Sequence, residues 1–297
     1  MDRLDAMSLL LAVVEEGSLS AAARRLRTPL ATVSRRVAEL ERHLRTQLLV
    51  RTSRRMALTD AGRAYVAAAK RILEQVEEAE RAAAGEYSEP RGELHVTAPL
   101  VFGRRHVLPI ALEFLAGHPE IDLRLLLIDR QVNLLEEHID VALRIGHLAD
   151  SGLIATRVGS VRRVVCASPA YLARRGTPQI PEELREHDGI TFQGFMTGPE
   201  WRYRRDGVTF AVEPRPRLAV NATEAAIDAA VAGIGIARLL SYQIVDELKT
   251  GTLVPLLEAF APEPMPVSLV YADQGMLPLK VRAFLDWSAP RLRVRLA

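Results

Sequence analysis

Residues 18–44 read SLSAAARRLRTPLATVSRRVAELERHL. Val33, Val37, Leu40 and Leu44 fall at i, i+4, i+7 and i+11, which draws one apolar stripe along a 3.6-residue helix. Thr32, Arg35, Arg36 and Glu39 lie off that stripe and face outward. Ala21, Ala22, Ala23 and Leu26 make a shorter helix before it, small enough for close helix–helix approach, and Arg27 and Thr28 form the turn. Thr28 is expected to cap the second helix through its hydroxyl, with Pro29 at the first helical position, where a missing N–H costs nothing. The stretch is therefore read as a helical hairpin whose second helix is presented to a nucleic acid.

Charge separates this hairpin from an ordinary surface one. Between Ser20 and Arg63 stand eleven arginines against Glu39, Glu41 and Asp60, a net charge of +8, whereas all 297 residues carry +2. A basic patch confined to one small helical unit is the footprint of a nucleic-acid binder.

Length allows a small domain plus a larger one, and 48% apolar residues support proper cores. No run reaches the roughly 18 apolar residues a membrane span needs. The opening MDRLDAMSLLLAVVEEGS has acids on both sides of its apolar part, unlike a secretory signal, and reads as an amphipathic helix over about 3–16 ended by Gly17. A single cysteine, Cys166, excludes an internal disulfide framework and points to a reducing cytoplasm; its run VRRVVCAS marks it as a buried thiol.

After the hairpin, Leu48–Val50 and Met56–Leu58 are expected as short strands around RTSRR, a wing whose tip carries Arg51, Arg54 and Arg55. Thr59 caps a helix from Asp60 to about Glu86. Its narrow seam of Ala64, Ala67 (or Ala68), Ile72, Val76, Ala79 and Ala83 fits pairing with a second copy. SEPRG is a boundary. From Gly92 onward strands and helices alternate, which implies α/β architecture with largely parallel sheets, long enough for two subdomains. VNLLEEH is expected as a short helix, LIATRVGSVRRVVCAS as one long or two successive strands, and WRYRRDGVTFAVEP as a hairpin turned at Asp206–Gly207. The last helix is expected over Leu279–Trp287.

From end to end the chain resembles the LysR-type transcriptional regulators. LDAMSLLLAVVEEGSLSAAARRL matches their first two helices, TVSRRVAELE the recognition helix, and LLVRTSRRMALTDAG the wing and the start of the linker helix. APLVFGRRHVLPIALEFLAGHPEIDLRL, VALRIG, VCASPAYLARRG and AGIGIARL follow the effector domain in order. The resemblance implies an N-terminal all-α winged helix-turn-helix plus a C-terminal α/β effector domain of two Rossmann-like lobes, like a periplasmic binding protein. Its boundaries fall at 1–59 for the DNA-binding domain, 60–91 for the dimerising helix and hinge, and 92–297 for the effector domain. Lobe I would take 92–162 and 268–297 and lobe II 163–267, with crossings near Val161–Val165 and Pro264–Ser268.

The DNA-contact candidates are Thr32, Ser34, Arg35 and Arg36 on the recognition helix, entering the major groove, and Arg51, Arg54 and Arg55 on the wing, holding phosphates or the minor groove. Two-fold pairing implies double-stranded DNA with a dyad-symmetric operator and a homodimer assembling to a homotetramer. The cleft between lobes would hold a small-molecule effector. Its candidates are Leu100, Val101 and Phe102 at a helix start, Arg144 and Gly146 at one strand end, Phe192 and Gly194 at another, and Thr223 before a helix. The family often places a serine or threonine where this chain has Leu100 and Val101. With Phe102 that suggests a partly apolar or aromatic effector, and Arg144 a carboxylate on it.

Rival readings each explain less. No convergent nucleophile, acid and base stands out for an enzyme. The seven histidines show no zinc-ligand spacing, and GIGI lacks the dinucleotide fingerprint, so no catalytic residue, metal or cofactor is expected. A solute-binding protein accounts for residues 92–297 alone, and an architectural DNA protein for 1–60 alone.

Overall fold

Asp2 opens the first helix, α1 (Arg3–Glu15), by accepting from the N–H groups of Leu4 and Asp5. This is a computed structural model that describes residues 2–51, 56–83, 89–130, 132–148, 152–192, 200–273 and 277–297. Gly17, at φ +68°, turns the chain, and the Ser18 hydroxyl accepts from Ala21 N–H at 3.1 Å to start α2 (Leu19–Arg25). The third helix, α3 (Leu30–Leu44), begins one residue later than the sequence suggests. Thr28 does not cap it. The Thr28 N–H closes the end of α2 on the Ala23 carbonyl at 3.0 Å, and its hydroxyl donates to the Leu26 carbonyl at 3.1 Å. Pro29 takes the cap position with extended ψ, and its carbonyl accepts the first helical N–H groups. A residue before proline is pushed out of helical geometry, which commits Thr28 to the turn.

Val33, Val37 and Leu40 are fully buried in one cluster with Ala6, Leu10 and Val13 of α1 and Ala22 and Ala23 of α2. Each large aliphatic side chain there contributes about 1.5–3 kcal/mol. Two short antiparallel strands follow, β1 (Leu49–Arg51) and β2 (Met56–Leu58). The Glu41 carboxylate of α3 accepts from Leu48 N–H at 2.8 Å and Leu49 N–H at 3.0 Å, so α3 itself holds the base of this hairpin. Thr59 accepts from Gly62 N–H at 2.8 Å and starts α4 (Asp60–Ala83). A Cβ on Gly62 would collide with the Leu48 carbonyl, so only glycine lets this first turn sit against the wing. Tyr65 and Val66 pack on the same cluster and Ala69 is buried. Ala64, Ile72 and Ala79 of the expected seam are exposed. The chain divides into two compact units, Met1–Glu89 and Pro90–Ala297, and α4 belongs to the first.

In the second unit, β3 (Gly92–Ala98) leads into α5 (Leu100–Phe102), a π turn over Gly103–Val107, and α6 (Leu108–Gly117). Then come β4 (Ile121–Leu127), β5 (Val141–Ile145) and β6 (Leu153–Val161). The chain continues through β7 (Arg163–Ala167), α7 (Pro169–Arg175), β8 (Asp188–Phe192), β9 (Trp201–Arg205), β10 (Val208–Val212), β11 (Arg215–Val220) and α8 (Thr223–Val231). It ends with β12 (Ile236–Leu240), α9 (Val245–Thr250), β13 (Val254–Leu256), β14 (Met265–Ala272) and α10 (Leu279–Leu296). One sheet has the order β4-β3-β5-β14-β6 and the other β11-β8-β12-β7-β13, each the core of a lobe.

Both sheets are mixed rather than largely parallel. Strand β3 runs parallel to β4 and β5, but β14 opposes β5 and β6, and β7 opposes β12 and β13. The reversed strands are those beside the two crossings between lobes. The stretch read as one or two strands is two, β6 and β7, in different sheets. Met265 already pairs with Val161 in the first sheet, so the first lobe resumes at 265 rather than at 268.

VNLLEEH forms a turn, not a helix: the Asn133 side chain accepts from Leu135 and Glu136 N–H, and His138 sits at φ +57°. The last helix runs nine residues past Trp287, through Pro290, because Ala289 and Leu292 are buried on the first-lobe core. Asp206 and Gly207, both at positive φ, turn the β9–β10 hairpin.

Candidate functional site

The buried stripe of α3 fixes which of its side chains remain outside. Arg35 is 69% exposed, with only a 3.9 Å approach to Glu39 one turn on. Arg36 is 34% exposed and ion-paired with Asp5 of α1, so it also ties two helices together. Thr32 and Ser34 are half-buried on the same helix. Of the other arginines in the basic patch, Arg25 is held by Glu15 at 2.7 Å and Glu16 at 3.2 Å, and Arg63 by Asp60. Charge counting could not separate these engaged guanidiniums from outward ones, because their partners lie on another helix or one turn away. Arg51 ends β1, but its side chain, with Arg54 and Arg55, lies outside the described residues.

In the second unit the expected effector residues stand at two helix starts, Leu100–Phe102 and Thr223, and beside the ends of two strands, Arg144 and Gly146 at β5 and Phe192 at β8. Pro99 precedes α5, and Leu100, half exposed, donates its N–H to the Asp129 carboxylate at 3.0 Å. The positive end of this helix is therefore already met by the chain's own anion. Val101 and Phe102 are buried in the first-lobe core, and the Phe102 ring meets Tyr242 edge-on at 5.0 Å. Arg144 donates to the Val132 carbonyl at 2.7 Å, and burial pulls its pKa below the usual arginine range. Gly146, at φ +106°, donates to the Pro266 carbonyl at 2.8 Å. Thr223 is buried at the first turn of α8. Phe192 ends β8, though its side chain, like all of Gly194, is outside the described residues.

Sequence reading missed the groups that join the lobes. Tyr242, in a turn after β12, inserts into the first-lobe core, and burial with Asp129 raises its phenol pKa. Arg105 pairs with Asp246 at 2.6 Å, and Arg104 approaches Glu224 at 4.0 Å. The arginines fall in the sequence GRRHV without a local acid to flag them; their partners lie over a hundred residues away.

No group of three His, Cys, Asp or Glu that could hold a metal occurs among the described residues. Cys166 is buried between β12 and β13, and loss of hydration pushes its thiol pKa up to about 12. The folded chain should therefore stay silent toward a disulfide thiol reagent at neutral pH and react fully once unfolded in urea. Rapid labelling of the folded chain would contradict the buried thiol.

A basic helix-turn-helix unit followed by a two-lobed α/β domain defines a ligand-responsive DNA-binding regulator. Residues 4–63 match the model of the bacterial regulatory helix-turn-helix protein, lysR family, and residues 88–293 that of the LysR substrate binding domain. An HTH-type transcriptional regulator of Haemophilus influenzae is 32% identical over 95% of this chain and 98% of its own. YhjC, an HTH-type transcriptional regulator of Escherichia coli, is 34% identical over 97% of each. The solved structure of CrgA, a LysR-type transcriptional regulator from Neisseria meningitidis, aligns with a TM-score of 0.62 at 32% identity over 97% of this chain and 98% of that one. The chain belongs to the LysR-type transcriptional regulators, which bind DNA and respond to small-molecule effectors; it is not an enzyme.

Proposed function

We propose that this regulator acts in the cytoplasm as a homodimer, assembling to a homotetramer, on double-stranded operators with dyad symmetry. The observation that carries this reading is Arg35, exposed on a helix whose opposite face is locked by Val33, Val37 and Leu40. Arg35, Thr32 and Ser34 meet the major groove, where a bidentate arginine–guanine pair discriminates bases by about 1–3 kcal/mol. Arg36 reaches the same groove while remaining anchored to Asp5. Arg51, Arg54 and Arg55 hold phosphates beside it. Exposed Ile72 and Ala79 supply the seam along which α4 pairs with its copy. No single helix among the described residues is long and apolar enough to cross a membrane.

The effector is a partly apolar or aromatic carboxylate bound near Leu100, Gly146, Thr223, Phe192 and Gly194, with Val101 and Phe102 backing the wall from the core. Asp129 already answers the helix start behind Leu100, so the carboxylate goes to the remaining donors of Arg144. Binding shifts the lobes, and the links made by Tyr242 and Arg105 are where that shift is felt.

Binding-site mapping on genomic fragments with purified protein, at fixed salt, tests the DNA reading. Enrichment of a few dyad-symmetric sites is expected; uniform binding that salt erases would overturn it. Arg54→Ala should weaken binding to every sequence and lower the slope of log affinity against log salt by about one. An unchanged slope would remove Arg54 from the phosphate contacts.

A further inference from the structure

An arginine on a helix that reads DNA has two uses, and they conflict. Its fork of donors matches a guanine edge, but its charge also binds any phosphate, and only the first carries sequence. Arg35 and Arg36 are neighbours on α3 and differ in which use is open to them. Arg35 is 69% exposed and meets Glu39, one turn on, at 3.9 Å. Arg36 is 34% exposed, and its guanidinium is paired with the Asp5 carboxylate of α1.

The fold builds this pair. Asp2 accepts from the N–H groups of Leu4 and Asp5 and so fixes the first turn of α1, where the positive end of a helix favours a carboxylate. Val33 and Val37, on either side of Arg36, are fully buried in one cluster with Ala6 and Leu10 of α1. Asp5 precedes Ala6, so the packing that buries the two valines also brings the carboxylate to the guanidinium. The arrangement recurs on α2, where Arg25 is held by Glu15 of α1 at 2.7 Å and by Glu16 at 3.2 Å. Acids at both ends of α1 thus answer arginines on the two helices packed against it. A guanidinium carries several N–H donors in a fixed plane, so the pair leaves Arg36 donors for a base edge while its charge is already met.

We propose that Asp5 is a positioning residue that determines specificity: it acts through Arg36, holding the fork toward a base edge and withholding its charge from the DNA backbone. The proposal rests on the reading of α3 as the helix that meets the major groove.

Asp5→Asn keeps the size of the side chain and removes its charge. The full-length parent, Asp5→Asn, Arg36→Gln and the double variant are titrated with the mapped operator and with a scrambled duplex. Releasing the Arg36 charge adds one phosphate contact. The slope of log affinity against log salt for the scrambled duplex should therefore steepen by about 0.9, an extra loss of about 3.5-fold between roughly 50 and 200 mM salt. At the lower salt Asp5→Asn should bind the scrambled duplex about threefold tighter than the parent does, with no gain on the operator, so the ratio between them narrows about threefold. Asp5→Ala, which removes the acceptor as well, should steepen the slope in the same way, and it decides if Asp5→Asn fails to fold. An ion pair that only held α1 to α3 would have the opposite effect, weaker binding to both duplexes at an unchanged slope, and that result would overturn the proposal. Arg36→Gln keeps the side-chain stem and removes the charge. In that background Asp5→Asn should change neither slope nor ratio. A steepening there would mean that Asp5 repels DNA by its own charge, and would overturn the proposal too. Failure of the groove reading looks different: Arg35→Ala would then bind both duplexes with parental affinity, whatever Asp5 does.

Discussion

Replacing Arg35 with alanine should cost about 1–3 kcal/mol of operator affinity, roughly 5- to 150-fold, while binding to random duplex falls far less. The side chain is exposed and its contact with Glu39 is long, so its removal disturbs the helix by only a few tenths of a kcal/mol. Specificity and folding therefore separate at this position. Competition anisotropy with the operator and a scrambled duplex, at one salt concentration, measures the ratio. An equal loss on both duplexes would make Arg35 a phosphate contact. Arg36 differs: its pair with Asp5 links α3 to α1, so Arg36→Ala also loosens the helical unit.

Truncating Phe102 should be the most damaging single change in the second unit. The ring is fully buried in the first-lobe core, beside Val101, Val107 and Ile110, and it meets Tyr242 from the other lobe at 5.0 Å. Phe102→Ala should lower unfolding stability by about 3–5 kcal/mol, the transfer and cavity costs together. Urea unfolding with the parental slope reads the loss directly. A side chain that only walled a ligand site would instead change effector affinity and leave the unfolding midpoint in place. Stability within about 0.5 kcal/mol of the parent would return Phe102 to the cleft surface.

Elements whose causes are local could be read from the order of residues alone. The stripe Val33, Val37, Leu40 declares a helix with one buried face, and those three side chains are buried. Ser18, Thr59 and the Asp206–Gly207 pair act within three residues of themselves, so capping and turn chemistry could be read directly. Alternation of strands and helices declared an α/β unit for the same reason: periodicity is a property of short windows. Order of motifs along the whole chain carried the family.

Meetings between groups far apart in the chain were settled by folding. Thr28 was competent to cap, but closure of α2 on its N–H, the bond from its hydroxyl back to the Leu26 carbonyl, and the proline after it hold it in the turn, away from the first N–H groups of α3. Strand direction depended on where the chain crosses between lobes, so the parallel sheets expected from alternation became mixed ones. Phe102 reads in sequence as part of a helix start; packing against Tyr242, 140 positions away, places it in the core. Asp129 at the Leu100 N–H and Asp5 on Arg36 are likewise invisible in any window. Long-range pairings arise from the sum of many weak packing terms over the whole chain, and no local pattern encodes that sum.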